Sequence, residues 1–568
     1  MGSEFESRAA HRYGSPSTEG LCATCRWRSS DLGLAATGAC DIAEEHESSR
    51  RDIRGILPWL IAATGAVAIL AFSPLSLIDD AYISVRYAHN LNAGLGLVFN
   101  AGEHVEGYSN LLWTLLLAIP LRLHISVDTF AILVGAFFGI LAVHDSWRVC
   151  RQIGVGFWWS AAAIVPLALN PDYWLSVTNG LEGGLFSFLL MRTVYLVVSR
   201  RRLAMAGLCG GLLFMTRPEG LLVIPLCAIY LSAPERIDAR TTWMPNPRKV
   251  LLLLLPWLSV VACVTLWRLL YYEAWLPNTV TAKAPPHHWS VYLANIQAGI
   301  QYWETFLQAA MPFVLGALAA VALGWRRPVV FLCLALVAIE VPTVLVNGGD
   351  WMPHFRLIIV FLPLLAVLLG VALEELARQP RHFPLLWLVL VWSVRAILLV
   401  EVLAALPYHG WNQAPRFQIG ETEPCYQDIA RAILPRMNAT DRTSSEVLGE
   451  FSTILIANYS HDLQGLTDSY VAHHGTTYNP RFGTADFPYT YQKIRPEIIV
   501  VHDVTLITGL VAIAHGGYTK RYATFLFPTL PGCASRPVWV SLSRNVESRI
   551  LPALTPFHPQ VVTTFPSG

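Results

Sequence analysis

The sequence predicts an α-helical polytopic membrane protein of about eleven transmembrane helices, carrying a C-terminal extracytoplasmic α/β domain. Composition is the first observation: 54% of the 568 residues are hydrophobic and 14% charged, with mean hydropathy +0.45. A soluble domain carries about 25% charged residues. The second is a run of long apolar segments reaching to residue 406. The third is the arginine clusters between those segments, which a single topology places on one side of a bilayer. Nineteen Trp and twenty Tyr suit interfacial belts. The formal net charge of +1 excludes a nucleic-acid partner, which requires a basic surface.

Residues 1–54 are polar, rich in Ser and charge, and read as a disordered cytoplasmic tail. They lack the short apolar core and small-residue cleavage site of a signal peptide. Cys22 and Cys25 form a C-x-x-C with no second ligand pair at zinc spacing, so they read as a chance pair. The first span is Gly55–Ile78, uncharged and long enough for the ~20 residues a crossing helix needs. Further apolar segments lie at 128–147, 157–170, 183–199, 203–216, 219–232, 250–270, 305–324, 328–346, 355–377 and 383–406, giving eleven crossings. The segment 109–123 is short, carries Pro120 and Arg122, and reads as a half-helix.

Arg50, Arg51 and Arg54 set the N-terminus inside. With eleven crossings Arg148/Arg151, Arg200–Arg202, Arg236/Arg240/Arg248/Lys249, Arg326/Arg327 and Arg378/Arg381 all fall inside; a twelfth crossing at 109–123 would put them all outside. The membrane domain is therefore expected over 55–407, and 408–568 outside. In that last region EVLGEFSTILIANY and PEIIVVHDV read as strand-and-turn segments. Cys425 and Cys533 are its only cysteines, and an oxidising compartment would permit a bond between them.

This topology gathers the scarce polar residues on the outer face. Asp79 and Asp80 leave the first span and open a loop over 79–109. Acids at a membrane exit are costly to desolvate, so they call for water, a cation or a reacting substrate. Other outer loops hold Glu106, Glu182, Glu219 and Asp350 as acids, and Arg86, Arg217, Lys283, His354 and Arg356 as cations or bases. The TRPEG turn joins two segments of only about fourteen residues, about 21 Å each, so Arg217 and Glu219 sit recessed and need a partner or an aqueous cavity. Carboxylates can deprotonate an attacking hydroxyl, and Arg and Lys can hold a phosphate. The set suits an inverting transfer from a polyprenyl-phosphate-linked donor, with the leaving-group charge neutralised by cations.

The strings DDAYISVRYAHNLNAGLGLVFNAGEHVEGYSNLLWTLLLA, NGLEGG, TRPEG, LPNTVTAK, GGDWMPHFRLIIVFLPLLA and GLTDSYVAHH occur in that order. They resemble the GT-C glycosyltransferases of the mycobacterial terminal arabinofuranosyltransferase group, which shares its signature with the ZomB proteins of flagellar motor control. The resemblance covers roughly residues 55–475. It implies a polyprenyl-phospho-sugar donor, an extracytoplasmic site and a glycan acceptor, with Asp79 or Asp80 as base or acceptor anchor. One departure is Gly183, where the group commonly has Thr after the Glu of the second motif; this makes Glu182 the less secure site.

The expected catalytic residues are thus Asp79 and Asp80, with Asp79 favoured as base and Asp80 orienting the acceptor or balancing Arg86. Donor phosphate and sugar fall to Arg86, Arg217, Glu219, Lys283, His354 and Arg356; acceptor or sugar contacts fall to Glu182, Asn278, Asp350 and Trp351. No cofactor is required, since Arg and Lys can stabilise a monophosphate, although the aspartate pair could hold a divalent cation. His287/His288 and His473/His474 read as loop residues, and Glu340, in mid-helix, has no assigned role. The competing functions are a lipid-linked glycan flippase or transporter, for which charges along the midplane would be expected, and a non-catalytic membrane partner of the ZomB type.

Overall fold

The computed structural model describes residues 54–71, 76–233, 246–284, 289–350, 352, 354–378, 424–479, 483–514, 516–528, 530, 537–563 and 565. The expected tail up to residue 53, the segment 383–406, Trp351, His287, His288 and Cys533 lie outside them. Contacts divide the chain into Met1–Leu60 and Ile61–Gly568. In the first unit the described residues, from Arg54, are helical. The remaining elements belong to the second unit.

By length and apolarity five described helices can cross a membrane, or seven when each of two bent pairs counts as one span. Leu111–Arg122, Phe157–Ala168, Leu203–Thr216 and Pro218–Ser232 are shorter apolar helices. Leu111–Arg122 has 12 residues, about 18 Å, too short for a ~30 Å core. Small residues let these helices pack closely. A Cβ on Gly184 would collide with the Gly135 carbonyl oxygen, and one on Gly207 would collide with that of Leu253.

The bent pair Pro171–Thr178 and Gly183–Val198 turns by 110°. Asn170 caps the first helix by accepting from the Tyr173 N–H, and Pro171 sits where no donor is needed. Gly180 makes the bend at φ +92°, and a Cβ there would lie 2.5 Å from Leu77 Cδ2, so glycine is required twice over. The bend sets Glu182 immediately before the second helix.

The stretch after the first span, expected as a loop, begins as a 14-residue helix, Asp79–Asn92. Its inner face buries Ala81, Val85 and Ala88. The polar residues that argue for a loop are absorbed by side chain-to-backbone bonds: Asn90 donates to the carbonyls of Val98 and Phe99, and Asn92 to that of Ala118.

Beyond residue 424 the strands are β1 (Arg442–Ser445), β2 (Tyr459–Asp462), β3 (Thr477–Asn479), β4 (Gly483–Ala485), β5 (Ile498–Val501), β6 (Tyr522–Phe527), β7 (Val538–Ser543) and β8 (Gln560–Val561). Six form a sheet in the order β2-β1-β5-β7-β6-β8, and β3–β4 form a separate hairpin. β1 runs parallel to β2 and β5, while β5–β7, β7–β6 and β6–β8 are antiparallel. IIVV of β5 is buried on both faces, which suits an unbroken β-branched run. The strand expected in EVLGEFSTILIANY is instead mostly the Leu448–Ile454 helix, since a tertiary partner decides between period 2 and period 3.6 in so short an apolar run.

That partner is the Asp79–Asn92 helix. A Cβ on Gly449 would collide with the Asp79 carbonyl oxygen, so only glycine admits this approach. Arg86, 1% exposed, clamps the contact: it donates to the carbonyls of Phe99, Ser452, Leu455 and Asn458 and to Asn100 Oδ1. Burial pushes its guanidinium down to about 9. The segment between β1 and β2 is thereby joined to the Asp79–Asn92 helix.

Candidate active site

The site is a cavity of about 490 Å³ lined by charged, small polar and apolar residues from segments far apart in sequence. Six expected site residues line it: Asp80, Glu182, Arg217, Glu219, Lys283 and Arg356. Three cations thus face three carboxylates.

Arg356 reaches it through an unusual turn. His354 and Phe355 both hold positive φ, +67° and +52°, a conformation costing non-glycine residues of order 1 kcal/mol each. Phe355 is held by edge contacts with Tyr302 and Phe306, and His354 Nδ1 lies 2.8 Å from Asp172. So braced, the turn delivers the Arg356 guanidinium to Asp80 at 2.8 Å and to Asp350. Arg217 is ringed by acids: Glu219 at 3.4 Å, Glu340 at 3.7 Å and Glu182 at 4.0 Å. It also donates to the Arg356 carbonyl. Glu340 is fully buried, so the recessed arginine is its ionic partner in the apolar layer.

The adjacent aspartates part company. The helix begins at Asp79, and successive helical side chains are about 100° apart. Asp80 lines the cavity. Asp79 turns toward the segment beyond residue 424, where its Oδ1 accepts the Glu450 N–H at 2.7 Å. Burial, with the neighbouring Asp80 charge, pushes the Asp79 carboxyl up to about 7. Burial also disfavours charge on Asp80, but Arg356 and Lys283 outweigh it and hold that carboxyl below its ordinary value. Of the expected catalytic pair, in which Asp79 is favoured as base, it is Asp80 that lines the cavity, while Asp79 faces Glu450.

A pH dependence follows for Asp79. Its folded pKa lies above the unfolded value, so the native state binds more protons between about pH 4 and 7, and stability falls as pH rises through that window. Asp79→Asn keeps an oxygen for the Glu450 N–H and cannot ionise. Thermal melts of the detergent-solubilised protein should show a shallower decline over that window in the variant. An unaltered decline would rule Asp79 out as its source.

The other expected residues among those described lie outside the cavity wall. Arg86 is engaged by backbone carbonyls rather than by an anion. Asn278 donates to the carbonyls of Gly465 and Leu466, tying the Asn278–Lys283 helix to the segment beyond residue 424. Asp350 and His354 brace the Arg356 turn. Glu106 pairs with Arg268 at 3.0 Å.

Sequence reasoning missed the neutral lining. Asn110 accepts from Ser84 and Thr114 and donates to Glu182 at 2.9 Å, fixing that carboxylate. Asn179, Ser176, Thr279, Thr343 and Asn347 also line the cavity. Neutral polar residues at membrane boundaries are common, so no signal beyond their place in or near the outer-loop motifs marks them. Among the described residues no group of three or more His, Cys, Asp or Glu is arranged to hold a metal ion.

No protein-family model matches the chain. It is 28% identical over 275 residues to a terminal β-(1→2)-arabinofuranosyltransferase of Mycobacterium tuberculosis, covering 43% of this chain and 42% of that protein. To a protein of the same name from Corynebacterium glutamicum it is 27% identical over 361 residues, covering 56% and 50%. The chain thus matches half or less of the length of these relatives. Solved structures similar to it include the Archaeoglobus fulgidus oligosaccharyltransferase in the apo form, at TM-score 0.47, 12% identity and coverage of 83% of this chain and 72% of that one. Another is ArnT from Cupriavidus metallidurans bound to undecaprenyl phosphate, at TM-score 0.48, 14% identity and coverage of 85% and 97%.

Proposed function

We propose that this protein is an integral-membrane glycosyltransferase that moves arabinofuranose from a polyprenyl-phosphate donor to an envelope glycan on the extracytoplasmic side. The observation that carries the reading is the cavity holding Asp80 beside Arg217, Lys283 and Arg356 at the end of apolar helices. The names of the two arabinofuranosyltransferase relatives support the class of reaction and the sugar. Cys425 is disulfide-bonded, which supports an oxidising compartment, and so an extracytoplasmic position, for the segment beyond residue 424.

In this reading the isoprenoid stays in lipid while the donor phosphate enters the cavity and takes Lys283, Arg217 and Arg356 as partners. Arg356 is then drawn from Asp80, whose carboxylate regains basicity. Asp80 accepts the proton of the acceptor hydroxyl as that oxygen bonds to the anomeric carbon, and the bond from that carbon to the phosphate oxygen breaks. The charge left on the polyprenyl phosphate is neutralised by the cations. No covalent intermediate and no metal ion are used, and the anomeric configuration inverts.

The test offers the membrane-inserted protein a panel of radiolabelled polyprenyl-phosphate sugars, with and without chelator. Transfer is expected from the arabinofuranosyl donor and unchanged by chelator. Absence of transfer from every donor would overturn the function, and a product with the donor's own anomeric configuration would overturn the single displacement.

A further inference from the structure

We propose a second carbohydrate site, an aromatic shelf formed by Tyr470, Tyr489 and His474 beside the cavity, that binds a neutral polyhydroxylated glycan. The proposed function enters only in making that glycan the acceptor chain. Tyr470 and Tyr489 stack with centroids 4.1 Å apart and planes 21° from parallel, and His474 lies 4.9 Å from Tyr470. A stack inside a core would be covered on both sides, yet Tyr470 is 46% exposed and His473 and His474 are exposed beside it. Exposed rings next to a carboxylate fit a sugar: the apolar C–H face of the ring sugar packs on the aromatic plane, and hydroxyls donate to the acid. The carboxylate is Glu103, which is exposed, hydrogen-bonds with Tyr459 and acts electrostatically on Tyr489. Its charge makes the shelf unsuited to lipid tails or to a second phosphate.

The position ties the shelf to the cavity. Two stretches of chain run from the cavity wall to it, Gly107 back to Glu103 and Leu466 forward to Tyr470. Each covers four residues, at most about 14 Å when extended. They are packed together at their inner ends, where a Cβ on Gly107 would fall 2.5 Å from Thr467 Cγ2. Asn278 fixes the same loop by donating to the carbonyls of Gly465 and Leu466, and its helix presents Thr279 and Lys283 to the cavity. A glycan whose terminal sugar reaches Asp80 would therefore meet the shelf a few sugars back along its chain.

The experiment uses the full chain in lipid nanodiscs with a linear arabinofuranose hexasaccharide as probe, measuring its affinity and, separately, that of polyprenyl phosphate. Tyr470→Ala should weaken hexasaccharide binding by about tenfold. Tyr470→Phe, which keeps the ring, should stay within about threefold, and both variants should bind polyprenyl phosphate as the wild type does. In transfer assays Tyr470→Ala should raise KM for the hexasaccharide without raising it for a single-sugar acceptor. Equal hexasaccharide affinity in wild type and Tyr470→Ala, or no hexasaccharide binding by a wild type that binds polyprenyl phosphate, would overturn the shelf. Tyr470-dependent binding in a protein that transfers nothing would uphold the shelf while refuting the transferase reading.

Discussion

Asp80→Asn is expected to lower turnover by about 10²–10⁴-fold while leaving polyprenyl-phosphate binding within a few-fold of normal. The carboxylate is the acid of the first-span exit that reaches the cavity, and general-base removal has an effect of that size. Asparagine preserves shape and can still accept from Arg356, so folding should survive. Its neighbour is the control: Asp79→Asn alters an acid engaged with the Glu450 N–H and should keep most of the activity. The pH profile adds a second reading. Arg356 and Lys283 hold the Asp80 carboxyl below its ordinary range, so the acid limb of kcat/KM should lie below that of a free aspartate. Arg356→Gln removes a stabilising charge and should move that limb upward. Near-normal turnover in Asp80→Asn with a proven donor would show that another group takes the proton.

The second large effect concerns the phosphate. Lys283→Ala should weaken binding of polyprenyl phosphate by roughly ten- to a hundredfold, since a charge-assisted contact is worth about 1.5–3 kcal/mol. Arg217 requires a different substitution. Its guanidinium balances Glu182, Glu219 and the buried Glu340, and removing it leaves Glu340 uncompensated at a cost of about 3–5 kcal/mol. Arg217→Lys keeps the charge and loses the planar fork, so it should retain folded protein yet bind the lipid phosphate less tightly. Unchanged affinity in both Lys283→Ala and Arg217→Lys, measured on membrane-inserted protein, would remove them from the phosphate site.

About half the expected charged site is legible in the sequence because charge is costly at a membrane boundary. Asp80, Glu182, Arg217, Glu219, Lys283 and Arg356 stand out as scarce ions on the outer loops, and they share one cavity. Arg86 stands out by the same rule, yet its role is structural. Its burial is offset by four backbone carbonyls, three of them more than 360 residues away, and backbone acceptors leave no mark in a sequence.

What the sequence determined by itself rests on local rules. Apolar run length gave the membrane class, arginine placement gave the expected sidedness, and the desolvation cost of carboxylates pointed to the exit of the first span. The tertiary structure placed Asp80 on the cavity wall and Asp79 against Glu450, because helical geometry turns neighbours about 100° apart and only packing says which direction is the cavity. It also turned the 448–454 segment from expected strand to helix, through a backbone approach that Gly449 alone permits. And it brought Arg356 to Asp80 across 276 residues, a pairing set by how helices stack rather than by any pattern within them.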